Sequence, residues 1–196
     1  KEIIKSTATL NGFNVVAVRE VKVNPNALGK FARNTKPLIV QFFLVETQKG
    51  KRPLETRLYL LRKTVEKEIL TQKKKSYICS LSSETIVYKG LMTSTQLDHF
   101  YPDLTHPKYV VKLAIFHERF STNTKSTWAM AQPFRMLAHN GEINTIKANR
   151  LWMTAREREI KSRFWNNDLE YLKPIVNHHG SDSESLDHIL EFLTQS

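Results

Sequence analysis

Residues 116–157, FHERFSTNTKSTWAMAQPFRMLAHNGEINTIKANRLWMTARE, carry an arginine, polar turns and an Asn-Gly pair in an order that suits chemistry on a small amino acid. His139-Asn140-Gly141-Glu142 follows a strand-like segment and precedes a helix-like one. At Gly141 a backbone N–H can approach a ligand without interference from a Cβ. Asn140 offers a side-chain amide donor one residue earlier. Adjacent donors of this kind suit a tetrahedral oxyanion, and losing one typically raises the barrier by ~3–4 kcal/mol. An ordinary turn would use the same dipeptide. Arg119 stands after the strand-like LAIF run, where a guanidinium can clamp a carboxylate through parallel hydrogen bonds. By itself an arginine so placed is more often a surface ion-pair partner. Ser121, Thr122, Asn123 and Thr124 could add hydroxyl or amide contacts. Asp182, in GSDSES, offers a carboxylate to an ammonium, although helix N-termini favour Asp for structural reasons alone.

The remaining chemistry is sparse. Cys79, the single cysteine, lies in the apolar stretch YICSL and reads as a buried structural thiol rather than a nucleophile. A lone cysteine cannot form an intramolecular disulfide or a cysteine-cluster metal site. The histidines lack ligand spacing: His178 and His179 are adjacent, and His99 and His106 flank a loop. There is no Gly-x-Ser-x-Gly elbow, and the six glycines are too scattered for a phosphate-binding loop.

Several elements must position these groups. Residues 13–18 (FNVVAV) read as a short strand, and Asn24-Pro25 opens a turn into a short helix ending near Asn34. Residues 37–46 (PLIVQFFLVE) are nearly continuous in apolar character, which predicts a strand buried on both faces. After a loop over 48–53, Leu58, Leu61, Val65 and Ile69 mark an amphipathic helix over 55–70 with a basic outer face. Residues 76–80 and 85–89 read as a hairpin turning near Ser82-Ser83. A short helix over 95–100 precedes strands over 109–116 (YVVKLAIF) and 134–139 (FRMLAH), and a long helix spans 144–160. Residues 166–180 read as a loop. Ser181 then starts the last helix with capping-box spacing to Glu184, and Leu186, Ile189, Leu190 and Leu193 supply its buried stripe. Strands in succession mixed with helices predict the α+β class rather than a doubly wound sheet.

The chain has 196 residues, 40% of them hydrophobic, enough for one domain with a real core. Its longest apolar run, 38–45, is interrupted by Gln41 and is far below the ~20 residues that span a bilayer. No secretory signal pattern is visible at the start, and one cysteine fits a reducing cytoplasmic setting, or a plastid if the source is a photosynthetic eukaryote. The net charge of +11 is concentrated: residues 1–75 hold 17 Lys and Arg against 6 Asp and Glu, whereas the rest is neutral. That excess motivates a basic nucleic-acid binder as one reading. A solvated face, or a surface facing an acidic neighbour, is the favoured reading of it. No zinc knuckle or helix-turn-helix pattern accompanies it, and Tyr77 is the only aromatic near Lys75.

Taken together, PLIVQFF, RLYLLRK, YICSLSSETIVYKGLM, FHERFSTNT, AQPFRMLAHNGEINTIKANRLWM and SDSESLD closely resemble the glutamine amidotransferase domain of the glutamate synthase large subunit. RFSTNT with PFRMLAHNGEINT is the most specific combination within the N-terminal-nucleophile amidotransferase class. The resemblance implies a four-layer αββα sandwich of mainly antiparallel sheets with the site at one edge. It also implies roles: Arg119 for the glutamine α-carboxylate, Asn140 and Gly141 for the oxyanion hole, and Asp182 for the α-ammonium. Thr122 and Asn123 would line the pocket. In this family an N-terminal cysteine thiolate attacks the side-chain amide with its own α-amine as base, and ammonia leaves for a distant domain where 2-oxoglutarate becomes glutamate. The domain itself holds no cofactor or metal; FMN and an iron–sulfur cluster belong to the parent enzyme. The implied partners are glutamine and the remaining synthase domains, with neither membrane nor nucleic acid.

Residue one here is Lys1, not cysteine. The expectation is therefore a single domain over 1–196, the C-terminal larger part of the amidotransferase domain, lacking the upstream catalytic strand and inactive alone. A different class of reading is a non-catalytic module that binds an amino acid or serves as an interaction domain.

Overall fold

The computed structural model describes residues 1–120, 125–139 and 142–196. Helix α1 (Glu2–Leu10) ends at Asn11, whose side-chain amide donates to the Thr7 carbonyl at 2.8 Å. Gly12 turns the chain at φ +79°, a conformation that glycine reaches without a Cβ penalty. Strand β1 (Phe13–Glu20) pairs antiparallel with β2 (Val40–Glu46), from Phe13 opposite Glu46 to Glu20 opposite Val40, with a bulge between Val15 and Ala17. The link contains a 3-10 turn at Pro25–Ala27, capped by the Asn24 side chain, and helix α2 (Lys30–Asn34). These elements lie where composition predicts. The expected burial of β2 on both faces does not: its residues are half-buried or exposed. Val15 and Leu44 pack beneath the ribbon, whereas Phe43 and Val45 stay exposed on it.

Helix α3 (Leu54–Thr71) is the organising element. Leu58, Leu61, Val65 and Ile69 are buried at the predicted spacing, against Ala8 and Phe13. Tyr59 and Leu60 face a second cluster formed by Trp165, Leu169, Leu172, Ile175, Val176 and Phe192. Each large apolar side chain buried in this way contributes roughly 1.5–3 kcal/mol. A third cluster joins Val21, Leu28 and Ala32 to Phe100, Tyr101 and Trp128. It is closed by helix α4 (Ser94–Phe100), whose Thr93 and Gln96 make a reciprocal capping box. The predicted loop over 166–180 is more ordered than its composition implies. It holds a 3-10 turn at Asn166–Asp168 and helix α6 (Leu169–Leu172), with Leu172, Ile175 and Val176 deep in the second cluster.

Among the described residues, the expected strands over 76–80, 85–89, 109–116 and 134–139 form no ladder. A β-type composition describes a fit to a pleated, half-buried surface, and that surface exists only beside a neighbouring strand. Side chains take over instead. Ser82 Oγ donates to Glu55 at 2.7 Å, Ser83 N–H and Oγ donate to the same carboxylate, and Val87 N–H donates to Ser80 Oγ. Along 109–116 the apolar side chains face water, with Val110 86% and Phe116 84% exposed.

The C-terminal region completes the frame. Helix α5 (Ile146–Glu157) is shorter at both ends than the expected 144–160. Helix α7 (Asp182–Thr194) inverts the expected burial. Leu186 and Leu190 are exposed, Leu193 is 64% exposed, and only Ile189 of the predicted stripe packs against a core. The buried face carries Asp182, Ser183, Ser185, Asp187, Glu191 and Phe192. Ionic and hydrogen-bond partners compensate for burying it. Arg62, 1% exposed, donates to both Glu66 oxygens at 2.8 Å and to the Glu191 carboxylate. Arg135 donates to Glu66 at 3.1 Å and to the Ile78 carbonyl at 2.6 Å.

This network makes stability acid-sensitive. Burial opposes the Glu66 charge, but Arg62 and Arg135 outweigh it and bring the carboxyl from 4.5 to about 2. His188 moves from 6.5 to about 3, through burial first and then Lys63, Arg135 and Arg62. In both cases the unfolded chain binds a proton at a pH where the folded chain does not, so stability falls with pH. The window is 6.5 down to about 3 for His188 and 4.5 down to about 2 for Glu66. Melting temperature is therefore expected to fall on acidification below neutrality, and His188→Leu to flatten the upper part of the curve. Parallel curves for the two proteins would remove His188 from this account.

Candidate functional site

The start of α7 is built by several local interactions. Ser181 Oγ accepts the Glu184 N–H at 3.0 Å. The reciprocal half of the expected capping box is not made, and Glu184 instead accepts from Asn177 Nδ2 at 3.4 Å. Arg150 of α5 fastens the approach. Its guanidinium donates to Ser185 Oγ at 2.9 Å and to the carbonyls of His178, Gly180 and Ser181 at 3.2, 2.7 and 2.8 Å. Asp182 is thereby fixed in the first turn, where the helix dipole favours a carboxylate.

Asp182 is 1% exposed and grips main chain on two sides. Its Oδ1 accepts the Ser183 N–H at 2.8 Å, and its Oδ2 accepts the Ile143 N–H at 3.0 Å. Ile143 lies just after the Asn-Gly pair. Just before that pair, the Gln132 amide embraces His139: Oε1 accepts the His139 N–H at 2.8 Å, and Nε2 donates to the His139 carbonyl. Ser183 Oγ donates to the same carbonyl at 3.5 Å. Asp187 Oδ1 accepts the N–H groups of Met136 and Leu137 at 2.7 and 3.2 Å. Side chains of α7 and Gln132 thus hold the segment that enters and leaves the candidate oxyanion loop.

Of the predicted site residues, Arg119 and Asp182 are described, whereas Thr122, Asn123, Asn140 and Gly141 lie outside the described residues. Asp182 meets the chain at Ile143, two residues after Gly141. Arg119 is exposed, and among the described residues it makes neither an ion pair nor a hydrogen bond, with Asp182 or any other group. The structure therefore does not join the two ends of the proposed clamp by direct contact. Gln132, Arg150 and Asp187 are absent from the sequence-based set. Gln132 precedes a proline and Arg150 sits inside a helical run, so their spacing carries no signal. Their value comes from contacts across 7, 30 and 50 residues.

The other groups are consistent with a site that binds and polarises. Burial pushes the Cys79 thiol above its ordinary value, against the pull of Lys89 and Arg135, so it is protonated near neutrality. A thiol shifted in that direction is poorly suited to serve as a ready thiolate. Among the described residues no group of His, Cys, Asp and Glu could hold a metal ion, and one cysteine cannot ligate an iron–sulfur cluster. No described helix is long and apolar enough to cross a membrane. In the basic N-terminal part the arginines are committed to partners, whereas most of the lysines are exposed. Each of its arginines has a partner: Arg19 on Asp103, Arg33 on the Leu28 carbonyl, Arg52 on Asp168, Arg57 on Glu46, and Arg62 on Glu66 and Glu191.

Comparison with known proteins gives the same direction. The model of the class-II glutamine amidotransferases matches residues 1–196. The chain is 42% identical over its full length to the ferredoxin-dependent glutamate synthase 1 of Arabidopsis thaliana, of which it covers 12%. It is 42% identical, over 99% of its length, to the NADH glutamate synthase of Saccharomyces cerevisiae, covering 9% of that protein. The NADPH glutamate synthase large chain of Azospirillum brasilense is 40% identical over 99% of this chain and 13% of its own length. The chain thus spans about an eighth or less of these relatives. With a family match along all 196 residues, the chain belongs to the class-II glutamine amidotransferases.

Proposed function

We propose that this chain forms the glutamine-holding part of the glutaminase site of a glutamate synthase. Arg119 takes the α-carboxylate, Asp182 the α-ammonium, and Asn140 and Gly141 donate to the oxyanion, with Thr122 and Asn123 lining the pocket. The observation that carries this reading is the buried Asp182 carboxylate bonded to Ile143 N–H. It bonds the SDSESLD motif to the HNGEIN motif, 39 residues apart in sequence. A thiolate attacks the side-chain amide carbon, the tetrahedral oxyanion collapses with loss of ammonia, and water releases glutamate from the thioester. Cys79 is unsuited to supply that thiolate, so in this reading it comes from polypeptide other than these residues. FMN and the iron–sulfur cluster belong to other domains of the parent enzyme, in the cytoplasm or a plastid, where ammonia and 2-oxoglutarate yield glutamate.

The same reading makes residues 1–196 the larger C-terminal part of one amidotransferase domain with a four-layer αββα architecture. The exposed apolar run over 109–116 supports it, because those side chains suit a strand covered by further layers. The test uses the full-length protein and measures glutamate released from glutamine. Arg119→Ala is expected to raise KM about 100-fold with a smaller change in kcat, as loss of a bidentate charged contact does. A full-length protein that leaves glutamine intact, or an unchanged KM in the variant, overturns the reading.

A further inference from the structure

The Arg150 guanidinium reaches from α5 to the start of α7 and divides its N–H groups among four acceptors. Nε donates to Ser185 Oγ at 2.9 Å, and Nη1 to the His178 carbonyl at 3.2 Å. Nη2 donates to the Gly180 and Ser181 carbonyls at 2.7 and 2.8 Å. All four acceptors are uncharged oxygens, so the side chain works here as a rigid planar fork rather than as a counter-charge. They lie on both sides of Asp182: His178, Gly180 and Ser181 before it, Ser185 after it. One turn further along α5, Thr154 Oγ1 bonds to His178 Nε2 at 2.8 Å. One face of α5 therefore grips the segment 178–185 at two successive turns. Asp182 stands inside that segment, 1% exposed, with its carboxylate bonded to the Ser183 and Ile143 N–H groups. The place of the carboxylate thus depends on how α5 and α7 are held against each other.

We infer that Arg150 is a positioning residue for the α-ammonium contact, acting through Gly180, Ser181 and Ser185 to set where the Asp182 carboxylate stands. This rests on the glutaminase reading and deepens it, because it assigns to Arg150 part of the selectivity for an α-amino acid over the same amide without its amino group. The ammonium keeps its charge while the side-chain amide reacts, so its contact contributes equally to ground state and transition state. Loosening that contact raises KM and leaves kcat. A substrate that lacks the ammonium does not use the contact at all. Two variants separate the fork from the charge: Arg150→Lys keeps the charge without the planar donors, and Arg150→Met keeps an apolar stem without any donor.

The experiment is steady-state hydrolysis of glutamine and of glutaramate, which is glutamine without its α-amino group, by the full-length protein and the two variants. The wild type is expected to prefer glutamine by about 100-fold in kcat/KM. In each variant KM for glutamine is expected to rise about 20-fold, the effect of weakening one charge-assisted hydrogen bond, with kcat within about threefold. The constants for glutaramate are expected to stay within about threefold of wild type. A variant that loses activity on both compounds in the same proportion has a general structural defect and overturns the inference alone. So does either variant that keeps the wild-type preference. Should Arg150→Met fail to fold, Arg150→Lys decides by the same criteria, and failure of both to fold overturns the inference by making Arg150 a residue of global stability. A wild type without glutaminase activity, or without a preference between the two compounds, overturns the parent reading, and this inference with it.

Discussion

Replacing Arg62 with alanine is expected to destabilise the protein by about 3–5 kcal/mol, the range for breaking a buried ion pair from one side. Arg62 is buried in α3 and is the shared partner of Glu66, four residues along the helix, and Glu191 on α7. Removing it leaves Glu191, itself buried, with its ion-pair partner gone, and leaves Glu66 with Arg135 alone. Lysine is a poor substitute because a single ammonium cannot reproduce the planar fork that reaches two carboxylates. The double variant Arg62→Met with Glu191→Leu is expected to recover much of the loss, since an apolar pair of similar volume carries no desolvation penalty. Urea unfolding of the two proteins measures the difference. An Arg62→Ala protein within about 1 kcal/mol of wild type would mean that the network is solvated and contributes as a surface pair does.

Asp182→Ala is expected to lower kcat/KM for glutamine about 1000-fold in the full-length protein, about 4 kcal/mol of lost transition-state stabilisation. Two contributions combine. In the proposed site the substrate ammonium would lose its counter-charge, and the Ile143 N–H loses the Asp182 acceptor. Asp182→Asn keeps an oxygen acceptor but no charge, so it is expected to lose about 100-fold, chiefly in KM. That ordering separates charge from architecture. Equal losses in both variants would assign Asp182 to substrate charge alone, and intact activity in either would remove it from the site.

Much of the architecture follows from local patterns. The β1–β2 hairpin, the short helices after Asn24 and before Tyr101, and the four-point stripe of α3 lie where sequence spacing predicts. Those signals are local, because a 3.6-residue period or a capping residue acts within one or two turns. The inversion of α7 is the opposite case. Leu186, Leu190 and Leu193 obey helical spacing as well as the stripe of α3 does. They remain exposed because Arg62, Arg135 and Arg150 draw the carboxylates and hydroxyls of the other face inward. No periodicity argument sees a partner more than a hundred residues away, as Arg62 is from Glu191.

The amino-acid sequence by itself determined the family, through RFSTNT, HNGEIN and SDSESLD, because a motif survives translation into any orientation of the chain. It also supplied the residue types on which the proposed amino-acid and oxyanion contacts rest. Only the tertiary structure decided that Asp182 meets Ile143, that Gln132 stands in for a strand beside His139, and that α7 turns its polar face inward. These are long-range hydrogen bonds and ion pairs, whose strength depends on burial and on distances of about 3 Å that no linear spacing encodes.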